Sequence, residues 1–250
     1  MRVRALVAGL LAVVLLTGCA QSVDPIERLG KKAAQRVRPH DSAYRRWGLA
    51  APLARAPRPP ARFTARTEGP GLPPVVDHVR TRDRVVFLTY DDGAERDPRF
   101  VDMVRELRLP VSMFLTDSVV GPGYGHFARL RAVGASVQNH TLDHASLRGL
   151  PYAGQRAEIC GQQDKLKRRF GLRPRLLRPP YGSYDTTTLR AAADCGVAAI
   201  VLGRRVSPRR LHAGDILLGS DGPNPTRTTT RLLRRMQTQG LAPARLEDYL

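Results

Sequence analysis

Asp91 and Asp92 stand side by side at the end of the apolar, β-branched run Val85-Val86-Phe87-Leu88-Thr89-Tyr90, and Gly93 follows them. Such a run reads as a buried strand, and buried strands do not usually finish in two carboxylates. Side chains alternate along a strand, so the two acids leave its carboxyl end in different directions. Parallel α/β folds place their chemistry at that end. Taken alone, the residues also read as a plain acidic turn, since Asp and Gly are common there.

Two further clusters carry chemistry. In Asn139-His140-Thr141-Leu142-Asp143-His144 the imidazoles are four positions apart, a spacing that one helical turn would bring to one side. Two histidines with a carboxylate make a ligand set for a divalent metal such as zinc, with positions left open for water. In Leu176-Leu177-Arg178-Pro179-Pro180-Tyr181-Gly182 two prolines follow a short apolar strand and fix the backbone on both sides of them. Arg178 is then able to hold a carboxylate by a bidentate pair, and the Tyr181 amide to face a developing oxyanion.

The elements that must position these residues alternate. Asp97-Pro98 reads as a helix start, with Phe100, Met103, Val104 and Leu107 on one face. Val111 to Leu115 reads as a strand, His126 to Val133 as a helix, Ser136 to Gln138 as a strand and Gln155 to Phe170 as a helix. Leu176-Leu177 is a strand, Asp185 caps a helix from Thr186 to Cys195, Ala198 to Leu202 and Ile216 to Leu218 are strands, and Thr226 to Gln239 is a helix. Alternating β and α elements joined by short links imply a parallel sheet, open or closed into a barrel.

Residues 1–19 read as a secretory signal: Arg2 and Arg4, an apolar run from Ala5 to Leu16, then Leu16-Thr17-Gly18-Cys19. The last four residues resemble the bacterial lipobox, which implies cleavage before Cys19 and lipidation of that cysteine; a simple signal with an incidental Cys19 is the other reading. The expected location is extracytoplasmic, lipid-anchored to the cell membrane. Residues 20–81 are rich in Pro, Arg and Ala. They read as a largely irregular tether that builds no ladder, although Tyr44 and Trp47 are candidates for packing onto the domain. The domain proper is expected over 82–250. Two cysteines other than Cys19 remain, Cys160 and Cys195. In an oxidising compartment they form a bridge or stand as separate buried thiols.

Hydrophobic content of 42% and charged content of 25% are those of a globular protein. The formal charge of +19 is carried almost wholly by arginine, with lysine only at positions 31, 32, 165 and 167. No stretch interleaves basic residues with several aromatics and no zinc-finger spacing or basic zipper occurs, so nucleic acid is not expected as a partner.

Together the three clusters resemble the polysaccharide deacetylases, the NodB-homology carbohydrate esterases. That family carries a Thr-Phe-Asp-Asp-Gly strand end, a His-(Ser/Thr)-x-x-His pair and an Arg-x-Pro-Tyr/Phe turn. Thr89-Tyr90-Asp91-Asp92-Gly93, His140-Thr141-Leu142-Asp143-His144 and Arg178-Pro179-Pro180-Tyr181-Gly182 match in the same order, with Tyr90 in place of Phe. The resemblance implies a distorted (β/α) barrel of about seven strands. It further implies that Asp92, His140 and His144 bind a divalent metal, zinc by expectation, that Asp91 is the general base with Arg178 as its partner, and that Pro180 and Tyr181 border the substrate.

The implied reaction is deacetylation of an N-acetylated glycan, such as peptidoglycan or a chitin-like oligosaccharide, by a monomer. The metal polarises the carbonyl and acidifies a water, Asp91 takes the proton, and the Tyr181 amide helps hold the oxyanion. One departure stands out: Ser220 occupies the place of the family's late histidine, the expected acid. His212 and Asp221 are the candidate stand-ins. The alternative function is a catalytically impaired lipoprotein that binds glycan without turnover.

Overall fold

The computed structural model describes residues 43–59, 67, 69–92, 96–203, 210–219 and 224–250, all within the compact unit His40–Leu250. Cys19, Gly93, Ser220 and Asp221, and with them the expected signal and lipobox, lie outside the described residues.

Among the described residues eight strands form one sheet: β1 (Val75–Val76), β2 (Val85–Tyr90), β3 (Val111–Leu115), β4 (Ser136–Asn139), β5 (Leu176–Leu177), β6 (Ala199–Val201), β7 (Ile216–Leu218) and β8 (Ala242–Ala244). Their order is β1-β6-β5-β4-β3-β2-β7, and β8 pairs β2 off this path. Every strand pair is parallel, as expected for strands joined through helices. The main helices are α1 (Pro98–Leu107), α2 (Tyr124–Ala132), α3 (Tyr152–Phe170), α4 (Thr186–Asp194) and α5 (Pro225–Thr238). Beyond edge strand β1 the chain crosses to the other end of the sheet order, where His78 bridges Asp215 just before β7.

The fully buried β2 sorts its side chains by parity. Val86, Leu88 and Tyr90 pack outward in a cluster with Phe100, Met103 and Val104 of α1 and Leu232, Leu233 and Met236 of α5. Val85 and Phe87 join the other cluster, with Phe114, Leu176, Val201, Ile216 and Tyr249. Burial on both faces explains why β2 is a continuous apolar run rather than an alternating one.

Two local expectations are corrected. The Pro-rich stretch before Arg82 does build a ladder: Val75 and Val76 pair Ile200 and Val201, Val79 is buried, and so are Trp47 and Leu49. The prolines at 73 and 74 enforce an extended entry and leave the next two residues free to pair. Strand β8, unforeseen in the sequence, contains Pro243 opposite Val86; proline argues against a central strand, and here it sits in a three-residue one.

Candidate metal centre and active site

The parity of β2 sets up the site. Thr89 lies two residues beyond Phe87 on the same face, and its hydroxyl donates to the carbonyl of Leu217 at 2.9 Å. Asp91 continues that face and meets Arg178, whose Nη1 also donates to Thr89 Oγ1 at 3.0 Å. Asp92 then takes φ 68°, which swings its carboxylate away from the strand line and toward the histidines.

His140 and His144 reach Asp92 from a loop. Their Nε2 atoms lie 3.2 and 2.9 Å from Asp92 Oδ1. No helical turn carries them: residues 140–144 form a bend in which Thr141 and His144 have φ 69° and 62°. The expected turn is replaced because side chains hold the loop in another shape. Asn139 Oδ1 accepts the Thr141 amide at 2.8 Å, and Glu158 Oε2, from α3, accepts the amides of Leu142 and Asp143 at 3.1 and 3.0 Å. Further support comes from the main-chain carbonyl of Glu158, which accepts Leu142 N at 3.1 Å, from Ser118, whose amide donates to Leu142 O at 3.1 Å, and from the Thr116 hydroxyl, which donates to His140 O at 2.8 Å.

Each histidine has a partner behind it. His140 Nδ1 lies 2.7 Å from the carbonyl oxygen of Arg178; a carbonyl only accepts, so Nδ1 carries a proton and Nε2 is left facing Asp92. His144 Nδ1 lies 3.2 Å from the Tyr181 hydroxyl, and the two rings meet edge to face at 4.9 Å. Tyr181, also left-handed at φ 59°, follows Pro179 and Pro180 in a tight turn closed by Gly182 N to Pro179 O at 3.1 Å. Of the five non-glycine residues with left-handed φ among those described, only Arg108 is remote from the site. Each such residue costs on the order of 1–3 kcal/mol, and strain of this kind collects where geometry serves function.

The donor set fits a cation. One ligand atom from each of Asp92, His140 and His144 falls within 4.8 Å of the others, and Asp92 Oδ1 is buried without a hydrogen-bond donor. Contact with the His140 ring, against the opposing effect of burial, holds the Asp92 carboxyl below its ordinary range. Burial and the neighbouring His140 push the His144 imidazole down as well. A carboxylate oxygen and two imidazole nitrogens converging on one point are the ligand set a divalent metal takes. The histidine backed by a main-chain carbonyl is the usual outer support of such a ligand.

Arg178 is 3% exposed, with its guanidinium 4.1 Å above the Phe114 ring and Nε donating to Val201 O at 3.3 Å. Locked in this way, it fixes one carboxylate oxygen of Asp91.

A family model described as polysaccharide deacetylase matches residues 78–200. An uncharacterised protein of Streptomyces coelicolor is 62% identical over 198 residues, 73% of this chain and 79% of that protein. The chain belongs to the polysaccharide deacetylase family. The chitin deacetylase of Amylomyces rouxii is 35% identical over 118 residues, which are 46% of this chain but 27% of that longer protein. Among solved structures, a carbohydrate esterase family 4 pseudoenzyme from Bacillus anthracis superposes with TM-score 0.60 at 20% identity, covering 71% of this chain and 69% of its own. That likeness shows the NodB-like α/β fold.

Within this deacetylase fold the structure brings together Asp91, Asp92, His140, His144, Arg178 and Tyr181, while Pro180 is buried in the turn beneath Tyr181. It does not bring in His212. That residue precedes β7, at the end of the sheet opposite the site, and sits 3.9 Å from Asp215; a parallel strand separates it from the carboxyl ends where the acids lie. The supporting residues Asn139 and Glu158 escaped sequence reading. Asn139 directly precedes the histidine pair and was legible as a loop former, whereas Glu158 is 14 positions beyond His144 on an ordinary helix and gave no signal.

Proposed function

We propose that this chain is a metal-dependent deacetylase that hydrolyses N-acetyl groups of a cell-wall or extracellular polysaccharide. The observation that carries the reading is the adjacency of two assemblies: Asp92, His140 and His144 around one point, and Asp91 held by Arg178 beside them. A divalent metal held there, zinc on the character of its ligands, supplies a polarised acetyl carbonyl and an acidified water. Asp91 receives the water's proton, and Arg178 keeps its carboxylate oriented. The Tyr181 amide donates to the oxygen on which negative charge develops. The exposed Tyr181 ring, 77% accessible, borders the open side of the site and offers a sugar an apolar face. Anchoring through Cys19 outside the cytoplasmic membrane places the monomeric chain beside such polymers.

Acetate release from acetylated chitooligosaccharides and peptidoglycan, measured together with bound metal, tests this reading. Zinc-loaded protein is expected to release acetate, Asp91→Asn to keep the metal without turnover, and His140→Ala to lose both. Loaded protein that is inert on both substrates sinks the proposal.

A second reading rests on Ser220, which is no acid near neutral pH where departure of the sugar amine needs a proton. It makes the chain a glycan-binding deacetylase relative without turnover; the Bacillus anthracis neighbour is described as a pseudoenzyme. Binding without acetate release, together with activity gained in Ser220→His, supports that reading.

A further inference from the structure

A groove of about 560 Å³ beside α5 is lined by five arginines from three separate segments: Arg46, Arg99 at the start of α1, and Arg227, Arg231 and Arg234 of α5. Among the described residues no carboxylate lines it. Two acids among the described residues bond to groove residues: Asp97 accepts Arg99 N and Thr226 Oγ1, and Glu106 accepts the Arg46 guanidinium and the Trp47 indole. Arg234 is held by Gly48 O at 2.6 Å. Arg99, Arg227 and Arg231 are exposed and form no ion pair among the described residues. Like charges gathered in a concavity repel one another unless an anion enters, and a concave wall strengthens the field that draws one in.

The three helix arginines are spaced i, i+4 and i+7, one per turn on one face, with rises of about 6 and 4.5 Å between them. This spacing suits a linear polymer carrying one charge per repeat. Guanidinium groups approaching from three segments can surround a tetrahedral phosphate, whereas a planar carboxylate occupies a single fork. Trp47 is 6% exposed, so no aromatic face in the groove is available for a base to stack on. The large apolar side chains exposed among the described residues are Tyr152 and Tyr181, neither of them in the groove, so that face offers nothing to insert into a bilayer.

We infer that this groove binds a phosphodiester polyanion of the polyol-phosphate type, read through its phosphates alone. The inference is independent of catalysis.

Binding by the full chain is measured against four probes: a poly(glycerol phosphate) oligomer, a charge-matched single-stranded oligodeoxynucleotide, poly-glutamate, and phosphatidylglycerol/phosphatidylcholine vesicles. The glycerol phosphate oligomer is expected to bind with a log–log salt slope of about −2, from three phosphate contacts. Arg227→Gln/Arg231→Gln should weaken it about tenfold or more and bring the slope to about −1. The control Arg131→Gln/Arg175→Gln, exposed arginines outside the groove, should change neither, and thermal melting checks that both variants fold. Equal losses in the two double variants, or no binding, overturn the inference, because net charge alone then explains the result. Tenfold tighter binding of the oligonucleotide overturns it in favour of nucleic acid, groove-dependent vesicle binding in favour of a membrane, and poly-glutamate binding as tightly in favour of a carboxylate polymer.

Discussion

His140 donates its Nδ1 proton to the main-chain carbonyl of Arg178 at 2.7 Å, while the side chain of the same arginine holds Asp91. One residue thus supports the proposed metal ligand His140 through its backbone and the proposed base Asp91 through its guanidinium. The two supports are separable, because a substitution at 178 removes the second and spares the first.

Arg178→Gln is therefore expected to cut acetate release by about 100- to 10,000-fold, the usual worth of a positioned base, while bound metal stays near that of the parent. Acetate assays and metal content measured on one preparation check this. Parallel loss of metal would mean that the side chain, not the carbonyl, sustains the His140 support.

Glu158 makes the opposite case. Its carboxylate accepts two amides of the histidine loop, Leu142 and Asp143, and touches neither substrate nor metal ligand. Glu158→Ala removes the acceptor of Asp143 N and leaves Leu142 N only the main-chain carbonyl of residue 158, in a loop already strained at Thr141 and His144. Metal affinity should fall about 10- to 100-fold, as for other outer supports. Glu158→Gln keeps one acceptor oxygen and should restore most of it. Titration of both variants with zinc against a competing chelator reads the difference.

The strands and helices that position the site were legible because each strand is short, apolar and bounded by turn residues. Val111–Leu115, Leu176–Leu177 and Ile216–Leu218 match residue for residue, and Asp97 and Asp185 cap the helices expected of them. The motif residues were legible in type and in grouping. What the sequence hid is conformational. Nothing in His140-Thr141-Leu142-Asp143-His144 distinguishes a helical turn from a bend pinned by Asn139 and Glu158, since the deciding contact comes from another helix. The two-residue strand β1 and the Pro-containing β8 were hidden for a related reason: their pairing depends on partners distant in sequence, and their composition argues against a ladder.

Cys160 and Cys195 are bridged, with Cα atoms 5.1 Å apart and a separation of 35 residues. The bridge ties α3, two residues past Glu158, to the end of α4. In the chain-entropy model a loop of that size is worth roughly 3–4 kcal/mol. Reduction, or Cys160→Ser/Cys195→Ser, should lower the denaturant midpoint accordingly with little change in slope. The metal site should respond weakly, because Glu158 is also held by its own helix. A midpoint unchanged by reduction would contradict the assignment.

Asp117, at the start of the short helix behind the histidine loop, faces Tyr124 and Lys165. Burial opposes its ionisation, but the Tyr124 hydroxyl and the Lys165 ammonium outweigh it and hold the carboxyl below its ordinary value. A carboxyl lowered in the folded state contributes stability that is fully present above its unfolded pKa, about 3.9, and is lost as pH falls through the lower folded value. Acid unfolding of the parent should therefore steepen below about pH 4. Asp117→Asn removes this contribution, so it should be less stable than the parent at neutral pH and approach it under acid. Urea melts at pH 7 and pH 3 decide the matter: a constant gap between the two proteins would show that Asp117 acts through shape rather than charge. The same variant reads out the loop, since Ser118 N still donates to Leu142 O whichever side chain stands at 117, and zinc affinity should hold within a few-fold.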